Sequence, residues 1–75
     1  MQNYELAIIS FNKVEKEFTK HPAWQSKSVL EIGRILIAQG KRDEAIKRFQ
    51  DVLNVYGKEK AALVARQYIQ EIRSN

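Results

Sequence analysis

Apolar residues recur at spacings of three and four along most of the chain, which is the period of an amphipathic helix. The strict alternation typical of a half-buried β-strand does not occur. The pattern is interrupted at His21-Pro22, Gly40 and Gly57, residue types that end helices or form turns. The sequence therefore predicts four helices, at about 3–20, 23–39, 42–56 and 59–73.

Each predicted helix carries one apolar stripe, which indicates that each buries a single face. The connections are short, so consecutive helices are expected to pack as antiparallel neighbours. We therefore predict an all-α single domain over residues 1–75. The stripes are Tyr4, Ala7, Ile8, Phe11, Val14 and Phe18; Val29, Ile32, Gly33 and Leu36, flanked by Ile35; Ala45, Ile46, Phe49, Val52, Leu53 and Tyr56; and Ala62, Ala65, Tyr68, Ile69 and Ile72.

The first and third stripes are copies of each other. A shift of 38 positions aligns Ala7 with Ala45, Ile8 with Ile46, Phe11 with Phe49, Val14 with Val52 and Phe18 with Tyr56. The exposed positions differ between the two copies. A period of this size built from helix pairs is typical of an α-solenoid.

The second and third helices resemble a tetratricopeptide repeat. Gly33 is the small residue of helix A, and Gly40, Ala45 and Phe49 follow it by seven, twelve and sixteen positions, as that pattern requires. Small residues at Gly33 and Ala45 would let the two backbones approach closely, with Phe49 filling the gap beyond. The chain departs from the pattern at Val29, where an aromatic residue is usual. It also departs at Gly57, where proline often follows helix B, and in its 38-residue period, because about 34 is usual.

The resemblance implies a right-handed stack of antiparallel helix pairs that functions as a protein-interaction scaffold. The chain would begin with a helix B and end with a helix A, so we expect a fragment or a minimal repeat protein. Repeats of this greater length look most like those of bacterial envelope scaffolds, such as TolA-binding and outer-membrane-assembly lipoproteins.

Such repeats line their concave groove with the exposed faces of the A helices. Here those faces carry basic residues, which favours an acidic peptide or protein partner. A solvated charged face is the alternative interpretation. The asparagines of chaperone-type carboxylate clamps are absent, so that particular clamp is not expected. The candidate groove residues are Lys27, Leu30, Arg34 and Ile37 in the second helix and Arg66, Gln70 and Arg73 in the fourth.

A second candidate surface lies on the first helix. Leu6 and Ile9 fall outside its apolar stripe, and their counterparts in the third helix are the charged residues Glu44 and Lys47. Leu6 and Ile9, with Tyr4 and Met1 near them, would face the missing upstream helix. We therefore expect a homo-oligomer, and scattered exposed apolar residues are the alternative interpretation.

Composition and charge leave a second class of function open. The net charge of +4 and the pI of about 9.6 allow binding to nucleic acid or another polyanion, although the excess is modest for such a surface. The 75 residues include no cysteine and no apolar run of membrane-spanning length. We expect a soluble protein, and the sequence does not decide between the cytoplasm and the periplasm.

No catalytic or cofactor motif accompanies these surfaces, so we expect neither enzymatic activity nor a cofactor. His21 and Glu17 are spaced to share one helix end, but no third metal ligand is near them. Trp24 is expected to cover the corner between the first two helices by packing on Phe18 or Val14. The alternative is that it contacts a partner directly.

Overall fold

The structure, a computed structural model, describes residues 3–17 and 20–74. Within these residues the chain forms four helices and no strand, so the all-helical prediction is confirmed. Met1 and Phe18, which were assigned to the first helix and its surfaces, lie outside the described residues. The helices are α1 (Tyr4–Glu17), α2 (Pro22–Ala38), α3 (Arg42–Val55) and α4 (Lys60–Ser74).

The starts of α1 and α2 follow from two residues that suit a first helical turn. The backbone N–H of Leu6 donates to the side-chain oxygen of Asn3 at 3.1 Å, which caps α1. Pro22 occupies the first turn of α2, one position earlier than the predicted start. Its fixed φ angle and missing N–H are tolerated there, because the first helical N–H groups have no partner within the helix.

A glycine turn joins α2 to α3. Gly40 has a φ of 78°, which favours glycine. Its N–H donates to the carbonyl of Ile37 at 2.9 Å, and the N–H of Lys41 donates to the carbonyl of Leu36 at 2.8 Å. This pair of bonds is the Schellman arrangement that ends a helix. The short connection makes α2 and α3 antiparallel neighbours.

The core is centred on α2, which contacts all three other helices. The predicted stripes of α2, α3 and α4 supply all of its buried apolar residues except Leu30, whereas the described part of α1 contributes none that is fully buried. Ile8 and Phe11 of α1 are partly buried against this core. The buried apolar residues are Val29, Leu30, Ile32, Leu36, Ala45, Phe49, Val52, Ala62, Ala65 and Ile69.

Phe49 lies at the centre of the core and contacts both neighbouring helices. It is fully buried, and its ring stacks on Tyr68 of α4 with a centroid distance of 5.0 Å and an interplanar angle of 4°. The same ring lies against Gly33 of α2, where a side-chain carbon would overlap it. Phe49 therefore fills the space that the absent side chain at Gly33 leaves.

Polar side chains join α1 to α3. Arg48 donates a hydrogen bond to Asn12 at 3.3 Å and lies 3.9 Å from the carboxylate of Glu15. The hydroxyl of Tyr56 donates to the same carboxylate at 2.9 Å. Burial, together with the hydrogen bond to Glu15 and its negative charge, raises the pKa of Tyr56 to about 12. We call these four residues the α1–α3 polar cluster.

Candidate functional site

A groove opens between the start of α2 and the start of α4. Its volume of about 590 Å³ lies within the range of ligand sites. We call it the lysine-rimmed groove. Its lining consists of Ala23, Ser26, Lys27 and Leu30 from α2, Lys58 and Glu59 from the α3–α4 connection, and Lys60, Ala61 and Val64 from α4.

Helical spacing explains why these side chains meet. Ala23, Lys27 and Leu30 are separated by four and three positions, so they follow one side of α2. Ala61 and Val64 are three apart and turn toward them from α4. Leu30 is 8% exposed and Val64 is 40% exposed. The groove therefore has a floor that continues into the core and an apolar wall that is open to solvent.

The floor of the groove is apolar although Ser26 is part of its lining. Ser26 is 1% exposed, and its hydroxyl donates to the carbonyl of Ala23 at 3.0 Å. Its one donor proton is therefore used inside α2. A ligand in the groove meets carbon atoms at the bottom and polar groups mainly at the rim.

The rim of the groove is basic. Lys27, Lys58 and Lys60 are exposed, and Glu59 is the acidic residue among them. The first turn of α4 carries no acidic residue, so the positive end of the helix dipole adds to the same sign of charge. Among the ion pairs of the described residues, none involves these three lysines.

The surface continues along α4 as a shallower depression of about 180 Å³ lined by Val64, Gln67, Tyr68 and Glu71. Arg34 lies on the α2 side of Tyr68 and donates to Glu31 at 2.9 Å. The hydrogen bond and charge of Glu31, with a smaller contribution from Tyr68, raise the pKa of Arg34. Arg34 therefore stays charged beside the continuation of the groove.

The structure separates the predicted groove residues of α2 by burial. Lys27 and Arg34 are exposed, whereas Leu30 belongs to the core and Ile37 is partly buried against it. The sequence assigned all four to a surface distinct from the core stripe. This was wrong for Leu30 because α2 packs on three helices and buries a wider arc than one stripe. Leu30 nevertheless reaches the lysine-rimmed groove as its floor.

The predicted groove residues of α4 do not join those of α2. Arg66, Gln70 and Arg73 are exposed, but α4 turns Val64 toward α2. Each helical residue turns by about 100°, so Arg66 points about 160° away from Val64. The sequence showed a basic face on α4 but not which flank of α4 faces α2.

The side chain of Trp24 is largely open to solvent, with 61% of it exposed. Phe18, one of its two expected contacts at the corner between the first two helices, lies outside the described residues. Trp24 lies one turn before Lys27 on α2.

The sequence analysis missed Lys58 and Lys60 as residues of the groove. Their position just after Gly57 was the available signal, because a short connection places its residues beside the next helix start.

The second predicted surface lies on the outer side of α1. Leu6 is 59% exposed and Ile9 is 61% exposed, whereas Tyr4 is partly buried on the inner side. A depression of about 470 Å³ surrounds Ile9 and is otherwise lined by Asn12, Lys13, Lys16 and Glu17. Lys13 and Glu17 form an exposed ion pair at 3.9 Å. Leu6 and Ile9 are thus exposed on the α1 outer face, and Ile9 lies beside charged side chains.

Three further observations bear on function. Within the described part of the chain, no three histidine, cysteine or acidic side chains are placed to hold a metal ion. In the same residues, no helix combines the length and apolar character needed to span a bilayer. Comparison with models of known families, with curated proteins and with solved structures finds no match to this chain.

Proposed function

We propose that this chain is a protein-interaction module of the tetratricopeptide type, which binds a segment of a partner protein between α2 and α4. Binding rather than catalysis is its function. The observation that carries the proposal is the lysine-rimmed groove itself, an open apolar surface between two helices that are not consecutive in the chain.

Helix packing supports the repeat type. Gly33 lies against Phe49, and Gly40 ends α2 in the left-handed conformation. Helix α2 contacts α4 as well as its two neighbours along the chain. In an α-solenoid the A helices of successive pairs contact each other in this way and line the concave side. The right-handed stacking and the likeness to envelope scaffolds are part of this proposal.

A selection experiment tests the binding function. A random peptide library is displayed against the immobilised chain, and the affinities of enriched peptides are measured by fluorescence anisotropy. Val64→Gln removes an apolar wall of the groove. If a partner side chain covers Val64, the loss is about 1 kcal/mol, or about fivefold in affinity.

Leu63→Gln provides the matched control. Leu63 is the adjacent residue, is 68% exposed and is not part of the groove lining. The proposal predicts that Val64→Gln weakens binding and Leu63→Gln does not. The absence of any enriched peptide, or an equal loss in both variants, would contradict it.

Self-association through the α1 outer face is a second part of the proposal. The observation that favours it is the charge order along α1. Glu5 and Lys13 lie four residues before and after Ile9, so antiparallel α1 helices centred on Ile9 would place Glu5 of one copy opposite Lys13 of the other. Leu6 and Ile9 would be covered in such a pair, and a two-fold arrangement closes it.

A further inference from the structure

We infer that the lysine-rimmed groove accepts an acidic segment that carries one large apolar side chain, with its carboxylates beside Lys27, Lys58 and Lys60. This inference rests on the proposed binding function and names the chemistry of the partner. It differs from the groove expected from the sequence, because Lys58 and Lys60 come from the start of α4 and its preceding connection.

Charge provides the first argument. The three lysine side chains border one opening and are exposed, while Glu59 beside them is partly buried. Like charges around a shared opening repel each other, and the start of α4 adds further positive potential. A carboxylate-bearing ligand lowers this repulsion, whereas a basic ligand increases it. The groove therefore selects for negative charge.

The floor provides the second argument and excludes a ligand recognised by charge alone. Leu30, Ala61 and Val64 present carbon atoms to the opening, and the Ser26 hydroxyl is occupied by the Ala23 carbonyl. A volume of about 590 Å³ can hold one large side chain together with adjoining backbone. An apolar anchor gains free energy by leaving water here, which a purely polyanionic chain cannot do.

Trp24 supplies a third, independent observation. It is exposed by 61% although tryptophan is usually well buried, and it stands one turn from Lys27. Tryptophan is enriched among the residues that contribute most to binding at protein interfaces. A segment that crosses the groove toward the N-terminal end of α2 approaches this ring after it passes Lys27.

A charge-reversal selection tests the inference. The same peptide library is displayed against the native chain and against Lys27→Glu/Lys58→Glu/Lys60→Glu. The native chain should enrich peptides with Asp or Glu around one apolar residue, and the variant should enrich Lys- or Arg-containing peptides. A peptide selected on the native chain should bind the variant at least about tenfold more weakly.

Lys41→Glu/Arg42→Glu/Lys47→Glu is the matched control. It changes the net charge equally at exposed basic residues of α3 and its N-cap, outside both proposed interfaces, so it separates a local effect from long-range attraction. It should enrich the same acidic peptides as the native chain. Circular dichroism of both variants establishes that their helices are retained.

The outcomes separate this inference from the proposed function. Peptides that depend on Val64 but carry no acidic residues would overturn the inference and leave the binding function in place. Heparin, a polyanion without apolar side chains, tests whether the groove recognises negative charge alone. Heparin binding that matches the acidic peptides and ignores Val64→Gln would show that charge alone is recognised, which also overturns the inference.

Discussion

Gly33 lies directly against the aromatic ring of Phe49, and this contact sets how closely α2 and α3 can pack. A Cβ atom at position 33 would lie 2.7 Å from Cζ and 2.9 Å from Cδ1 of that ring. The ring is also fully buried and stacks on Tyr68 with a centroid distance of 5.0 Å, which limits how far it can shift. The separation of two helices thus depends on one missing methyl group.

Gly33→Ala should therefore destabilise the chain. Replacing glycine by alanine within a helix ordinarily stabilises a protein by about 0.5–1 kcal/mol. Here we expect overpacking to reverse the sign and cost about 1–3 kcal/mol in the free energy of unfolding, measured by urea denaturation.

Repeating the substitution in a Phe49→Leu variant tests whether this cost comes from the contact with Phe49. Phe49→Leu removes the ring atoms that meet the added carbon, so Gly33→Ala should cost much less in that variant than in the native chain. An equal cost in both backgrounds would show that the Gly33–Phe49 contact does not control the helix spacing.

The α1–α3 polar cluster gives the stability a dependence on alkaline pH. Tyr56 keeps its proton up to about pH 12 in the folded chain, whereas an unfolded tyrosine loses it near about pH 10. Between these values the folded state binds more protons, so the free energy of unfolding falls as the pH rises. The contribution of Tyr56 is fully present below about pH 10.

Tyr56→Phe should remove this contribution. At pH 8 we expect a loss of about 0.5–1.5 kcal/mol from the missing hydrogen bond to Glu15. The difference in the free energy of unfolding between the native chain and the variant should become smaller as the pH rises from about 10 to about 12. Urea unfolding at several pH values measures it, and a difference that stays constant through this window would refute the assignment.

Self-association can be tested on the α1 outer face. Leu6→Glu/Ile9→Lys copies the charged residues that α3 carries at the equivalent positions, so the double variant should remain helical and become monomeric. Sedimentation equilibrium up to several hundred micromolar measures this. A native chain that is monomeric throughout that range would disprove the interface.

The antiparallel arrangement of that interface has its own test. Glu5→Lys should weaken association by placing like charges opposite each other, and Glu5→Lys/Lys13→Glu should restore it. Leu63→Gln, which alters an equally exposed residue of α4, should leave the association constant unchanged. Failure of the charge swap to restore association would exclude this pairing.

The sequence predicted the helices and most of the core because both depend on local spacing. The stripe positions Ala45, Phe49 and Val52 are all buried, and Gly40 forms the expected turn. The starts of α1, α2 and α4 differ from the prediction by one residue. These features depend on residues only a few positions apart, which is where sequence patterns are informative.

The candidate site was less predictable, because it depends on how whole helices are rotated against each other. A stripe shows which face is apolar but not how wide an arc becomes buried, so Leu30 was placed on the surface. The periodicity of α4 likewise could not show that Val64, rather than Arg66, faces α2. Lys58 and Lys60 lie at the groove because of the direction that the α3–α4 connection takes, which the sequence pattern does not show.

The affinity of one selected peptide for two double variants tests most directly whether the binding face lies between α2 and α4. Lys27→Gln/Arg34→Gln and Arg66→Gln/Arg73→Gln remove the same number of positive charges, all from exposed side chains. We predict that the first pair weakens binding about fivefold or more, and that the second leaves it unchanged within about twofold at physiological salt. Equal weakening by the two pairs, or a loss confined to the Arg66/Arg73 variant, would contradict the placement of the binding face.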